Sequence, residues 1–271
     1  MKKALLVLAF LVLLFTGIQA QTQHILYSRH ISKADTVWVF TPSDYNSNPA
    51  KAYPLIYMLH GWSGNYHQWN DIMDCQKYAD RYGFIIVCPD GLYDSWYINS
   101  PANKQSQYTD FFFQDLMPFV SKNYRTENKN TFITGLSMGG YGALYLFEQK
   151  PELFRSAGSL SGLLDLTTYW NIYEINQVLG IKDQVSGTKL LNEFSVTRHA
   201  GKIAKAGKEI IFTCGSSDPF YAINNDFRLK CDELKINATY IISPGAHNYE
   251  YWKSAIGFHF DFFEKIIKAE K

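Results

Sequence analysis

Three residues far apart in the chain, Ser137, Asp218 and His247, are of the types that together perform acyl transfer. Gly135-Leu136-Ser137-Met138-Gly139 fits the pattern Gly-x-Ser-x-Gly. A serine hydroxyl is a poor nucleophile at neutral pH; it needs a base to take its proton, and the base needs a carboxylate to orient it. Where such a serine sits on a strand–turn–helix, the acid and then the histidine follow it in the chain. His247 lies in "GAHNYE", just after the strand-like run "ATYIISP". His259 falls inside the helical pattern "AIGFHFDFFEKI" and reads as a packing or surface residue. Asp218 follows the apolar run "EIIFTCGSS", whereas Asp226 and Asp232 fall within the next helical pattern, where solvated charge explains them.

These side chains need elements to bring them together. "NTFITG" reads as a strand and residues 138–149 as a helix that Pro151 stops, so the glycines around Ser137 occupy the turn between them. Such a turn lifts the hydroxyl above a sheet and points the backbone N–H of Met138 to the same place. A second N–H for an oxyanion is expected from an earlier loop. "LHGWSGN" (59–65) ends a buried strand, which makes Trp62 N–H the candidate. Two aromatic clusters reach the same edge. Tyr93, Trp96 and Tyr97 in "PDGLYDSWYINS", and Tyr249 and Trp252 in "HNYEYW", are candidates to line an acyl or sugar subsite, or else are core and rim aromatics.

Along the chain, "HILYSRH" and "DTVWVFTP" suggest an edge hairpin. "YPLIYMLHG" and "GFIIVCPDG" are continuous apolar runs, as in strands buried on both faces. Helices are expected over 71–82, 108–124 with a kink at Pro118, 219–235 and 249–268. Strands are expected over 154–162, 208–218 and 238–245. Residues 163–206 show only weak helical patterns and read as a cap or irregular insertion. Strands and helices alternate, so the fold class is α/β: a mainly parallel central sheet with helices on both faces, in one domain over 21–271. Right-handed crossovers put all strand C-terminal ends on one edge, where ligands bind.

At 46% hydrophobic residues the chain can bury a large core, and a net charge of +1 without charged tails gives no nucleic-acid footprint. Met1-Lys2-Lys3, the apolar run to Phe15 and "TGIQA" read as a signal peptide cut after Ala20. The run is shorter than the ~20 residues of a spanning helix, so an exported chain with no membrane segment after cleavage is expected. Export would permit disulfides, but Cys75, Cys88, Cys214 and Cys231 match no zinc spacing, and Cys88 and Cys214 read as buried free thiols. The serine chemistry requires no metal or organic cofactor.

"LHGWSGN", "PDG…SWY", "GLSMGGYGA", "CGSSD" and "GAHNYEYW" occur in the order found in the esterase D branch of the α/β-hydrolases, which includes feruloyl and acetylxylan esterases, S-formylglutathione hydrolases and mycolyl transferases. The chain resembles that branch over roughly residues 25–268. The resemblance implies carboxylic-ester hydrolysis with Ser137 as nucleophile, His247 as base, Asp218 as orienting acid and the N–H groups of Trp62 and Met138 as oxyanion hole. Export favours feruloyl or acetyl esters on plant polysaccharide as substrate over a cytosolic thioester. A general short-chain esterase, an acyltransferase and a silent carbohydrate-binding protein are the alternatives.

Overall fold

The apolar runs pair into one sheet. The computed structural model describes residues 21–269, so the expected leader lies outside them. Gln21–Leu26 (β1) and Asp35–Phe40 (β2) form the edge hairpin, with Gln21 opposite Phe40 and Leu26 opposite Asp35. Tyr53–Leu59 (β3), Ile85–Pro89 (β4), Thr126–Gly135 (β5), Ser156–Leu160 (β6), Ile210–Gly215 (β7) and Ala238–Ser243 (β8) complete an eight-stranded sheet in the order β1-β2-β4-β3-β5-β6-β7-β8. β1–β2 and β2–β4 pair antiparallel; every other pair is parallel.

Why the central strands lack polar alternation is visible in their packing. Leu55, Tyr57 and Leu59 of β3 join one hydrophobic cluster, while Ile56 and Met58 join the cluster on the opposite face. This is the two-residue period of a strand with apolar material on both sides. One face is covered by Met138–Gln149 (α5), whose whole circumference is nearly buried; the other is covered by Cys75–Tyr82 (α2) and Tyr249–Lys268 (α10). α10 turns Trp252, Ile256, His259, Phe260 and Phe263 inward, the spacing of one helix face.

Some boundaries differ from expectation for local reasons. The helix expected over 71–82 is two pieces, Gln68–Ile72 (α1) and α2. Met73 is extended, and the Asp74 carboxylate then caps α2 by accepting the Lys77 N–H at 3.0 Å. The helical stretch around Pro118 runs as Tyr108–Phe111 (α3), a π-helical turn over Phe112–Leu116, and Met117–Asn123 (α4). Pro118 cannot donate to residue 114, and the widened turn sits where that bond is missing. Residues 163–206 form three helices, Ile175–Leu179 (α6), Gln184–Phe194 (α7) and Val196–Ala206 (α8). Leu164, Ile175, Leu191 and Ile203 are buried in the same cluster as α5, so the segment is an extension of the core. Tyr221–Glu233 (α9) links β7 to β8. Among the described residues no helix is long and apolar enough to cross a membrane. All four cysteines are buried and free.

Candidate active site

The turn at Ser137 explains its glycines. Ser137 has φ 54° and ψ −117°, a backbone state that costs an L-residue about 1–3 kcal/mol. A Cβ on Gly135 would come within 3.0 Å of the Gly139 carbonyl oxygen, and one on Gly139 within 3.0 Å of the Leu59 and His60 oxygens. Only glycine fits both places. The turn hangs between neighbouring strands: Leu136 N–H donates to Leu59 O at 3.2 Å and Ser137 N–H to Leu160 O at 2.9 Å.

The loops after β5, β7 and β8 bring three predicted residues together. His247 Nε2 lies 2.9 Å from Ser137 Oγ, and His247 Nδ1 lies 2.9 Å from Asp218 Oδ2. An ionised carboxylate only accepts, so Nδ1 carries the proton and Nε2 accepts the serine hydroxyl. The Asp218 side chain has no solvent exposure, and its Oδ1 takes the Phe220 N–H at 2.8 Å. The imidazole is packed edge-on between Phe220, at 4.7 Å between ring centres, and Trp252, at 4.9 Å. Such an arrangement can pass a proton from Ser137 to His247 while Asp218 fixes the ring.

Met138 begins α5, so its N–H has no acceptor within the helix, and Trp62 N–H likewise has no protein partner among the described residues. Trp62 stands on a braced loop. Gly61 N–H donates to Gln68 Oε1 at 2.7 Å, Gly64 N–H to Gly61 O at 3.0 Å and Tyr97 O–H to His60 O at 3.0 Å. The ring nitrogens of His60 lie against the Gly61 and Asp90 carbonyls, and burial pushes this imidazole down to about 4. One layer further in, Asp35 accepts from Tyr108 O–H at 2.8 Å, Asp90 N–H at 3.0 Å and Gly91 N–H at 3.2 Å. Burial outweighs these donors and raises its carboxyl to about 7.

The aromatic candidates separate. Tyr93 and Tyr249 are 54% and 46% exposed and stand at the rim, where either can be touched from solvent. Trp252 is buried behind His247. Trp96 and Tyr97 follow the core alternative: both are buried, Trp96 against Tyr141 with its indole N–H donated to Tyr173 O at 2.9 Å. Sequence reasoning missed Gln68, Phe220, Tyr173 and Glu174. Phe220 follows Asp218 by two residues in "DPF" and was findable on that ground; Tyr173 and Glu174 lie in the segment without a clear period.

The Esterase family model matches residues 28–258 of this chain. The chain belongs to the Esterase family. It is a carboxylic ester hydrolase of α/β-hydrolase fold. An acetyl esterase of Caldicellulosiruptor saccharolyticus is 26% identical over 271 aligned residues, which take in 89% of this esterase and 96% of that protein. An endo-1,4-beta-xylanase/feruloyl esterase of Xylanibacter ruminicola is 29% identical over 150 residues, 50% of this chain and 20% of that protein. Among solved structures, a ferulic acid esterase matches with a TM-score of 0.78 at 23% identity, covering 91% of this chain and 98% of the other. At that identity the structural likeness speaks for the fold.

Proposed function

We propose that this esterase is an exported serine carboxylesterase working through Ser137, His247 and Asp218, and that its substrates are acetyl or feruloyl esters carried on plant polysaccharide. The observation that carries the mechanism is the continuous Ser137–His247–Asp218 relay with both links at 2.9 Å. Ser137 Oγ attacks the ester carbon while its proton passes to His247 Nε2. The carbonyl oxygen becomes an oxyanion facing the N–H groups of Trp62 and Met138. His247 then protonates the departing alcohol, and the acyl group stays on Ser137. Water attacks that acyl-enzyme with His247 again as base, releasing the acid and restoring the serine.

Support for the substrate class comes from relatives and from the leader-like residues 1–20. The acetyl esterase match runs over nearly the whole of both chains, whereas the feruloyl match covers half of this one, so the acetyl ester is the better-supported acyl group. Exposed Tyr93 and Tyr249 at the rim suit contact with a sugar. A second reading, transfer of the acyl group to a sugar hydroxyl, draws on a diacylglycerol acyltransferase/mycolyltransferase of Mycobacterium leprae that is 30% identical over 129 residues, 44% of this chain.

The test is turnover by residues 21–271 of acetylated xylan, methyl ferulate and a short-chain nitrophenyl ester, with Ser137→Ala alongside. Release of acetate from xylan by the wild type only is expected. Cleavage of the nitrophenyl ester alone would leave the relay standing and remove the polysaccharide. Acyl-sugar products with an added acceptor would favour transfer.

A further inference from the structure

Two residues from the least legible part of the chain touch the loop that carries Trp62. Tyr173 and Glu174 both have φ 57°, the left-handed region that non-glycine residues seldom occupy. Two such residues in succession, costing about 1–3 kcal/mol each, persist only where surrounding contacts hold them. Here the contacts are two indoles. Trp96 Nε1–H donates to the Tyr173 carbonyl at 2.9 Å, from the buried side. Trp62 Nε1–H donates to the Glu174 carboxylate. The Trp62 ring also stands edge-on to Tyr173 at 5.4 Å and to Tyr93 at 5.3 Å between centres.

We infer that Glu174 is a positioning residue for the oxyanion loop: its carboxylate clamps the Trp62 indole and so, together with the backbone bonds of the loop, holds the direction of the Trp62 backbone N–H. This rests on the role proposed above for that N–H. The loop's other braces act on its backbone on either side of the Trp62 side chain, one of them on the Gly61 carbonyl that shares a peptide plane with the Trp62 N–H. Gln68 holds the Gly61 N–H, the Gly64 N–H closes back on Gly61 O, and Ser63 N–H donates to Tyr93 O at 2.9 Å. Among the described residues, the Trp62 side chain packs against the core, stands edge-on to the two tyrosines and makes one hydrogen bond, to Glu174. An indole can donate but not accept, so the partner must be an acceptor, and a carboxylate makes the stronger bond. Such a bond 112 residues away in sequence makes the α6 region part of the catalytic framework.

The experiment is a double-mutant cycle of Glu174→Ala with Trp62→Phe, with Glu174→Gln as the conservative variant. Phenylalanine keeps the backbone N–H and a ring but removes the indole donor. On a short-chain nitrophenyl ester, Glu174→Ala should lower kcat roughly tenfold to a hundredfold, the scale of one hydrogen bond to a charged group, with KM within about threefold. Glu174→Gln keeps an acceptor and should recover most of the loss. In the Trp62→Phe background Glu174→Ala should change kcat less than about twofold. Equal losses in both backgrounds, or no loss in either, overturn the inference. If Ser137→Ala retains full turnover, the proposed mechanism fails separately. The clamp is then judged on the Trp62 indole N–H resonance of ¹⁵N-tryptophan-labelled protein, which must move and exchange faster in Glu174→Ala; an unmoved resonance overturns it.

Discussion

Replacing Asp218 by asparagine should disable the base without unfolding the protein, and the structure sets the scale. The buried carboxylate accepts from Phe220 N–H at 2.8 Å and from His247 Nδ1–H at 2.9 Å. An amide offers one acceptor for these two donors. If its oxygen stays with Phe220, the NH₂ meets Nδ1, the imidazole changes tautomer, and the proton on Nε2 prevents it from taking the one on Ser137. If the amide turns over, the tautomer survives but the buried Phe220 N–H loses its partner, at a cost of about 1–3 kcal/mol. At about 1.4 kcal/mol per tenfold, roughly one molecule in 5 to one in 150 then holds the productive arrangement. A neutral amide also supports the transient imidazolium less well than a carboxylate does, by about 1–1.5 kcal/mol, or roughly five- to tenfold. Together these put the fall in kcat between roughly 25-fold and 1500-fold. Steady-state kinetics on a nitrophenyl ester reads it, with Ser137→Ala as the floor and circular dichroism as the check on folding. A folded Asp218→Asn enzyme within fivefold of wild type would refute the reasoning, because another acid would then be orienting His247.

Other outcomes follow from the same coordinates. Gly139→Ala forces a methyl against the Leu59 and His60 carbonyls; a destabilisation of about 1–3 kcal/mol, read as a melting temperature lower by roughly 3–10 °C, should accompany loss of turnover because the oxyanion loop begins at His60. Glu148 is buried on α5 with Lys202 at 3.4 Å, and burial raises its carboxyl to about 7 against that cation. The folded chain therefore binds this proton more tightly than the unfolded chain. The associated stability is complete below about pH 4.5 and is lost as the pH rises through about 7, by about 3 kcal/mol. Glu148→Gln should flatten that decline in melting temperature between pH 5 and 8; an unchanged slope would show that another group sets it. His259, between Thr134 Oγ1 at 2.9 Å and Thr213 Oγ1 at 3.3 Å, has the opposite sign, since burial pushes it from 6.5 down to about 3. Its contribution is present above pH 6.5 and lost as the pH falls toward 3, so His259→Gln should melt lower throughout but lose less on acidification; an equally steep acid limb would exclude His259 as its source.

How much of this was legible depended on whether a residue's role was written in its neighbours. Ser137 announces itself because the backbone must turn with glycine on both sides, and the bounds of α5 and α10 coincide with the expected helices because α5 is apolar nearly all round between the glycine turn and Pro151 and α10 carries a long apolar stripe. Asp218 and His247 were findable because each follows a strand by a few residues, Asp218 the buried β7 and His247 the edge strand β8. Trp96 was ambiguous because aromatic character looks the same in a core as in a cleft; only its contact with Tyr141 and its bond to Tyr173 O decide between them. Asp35 gave no signal, because its three donors come from residues 55 to 73 positions away. The helices between 163 and 206 were obscure for a related reason: α6 spans only five residues, and its neighbours in space, Trp62 and Trp96, lie on loops that no local period connects to it.

The central claim is that Ser137 forms the acyl-enzyme. The direct measurement is to mix the protein with excess nitrophenyl acetate, quench it in acid within the first turnover, digest it and locate the acetyl group by mass spectrometry. The account predicts acetylation of Ser137 in the wild type, more of it in Asp218→Asn if deacylation slows more than acylation, and none in Ser137→Ala. Acetyl groups on another residue, with turnover persisting in Ser137→Ala, would contradict it.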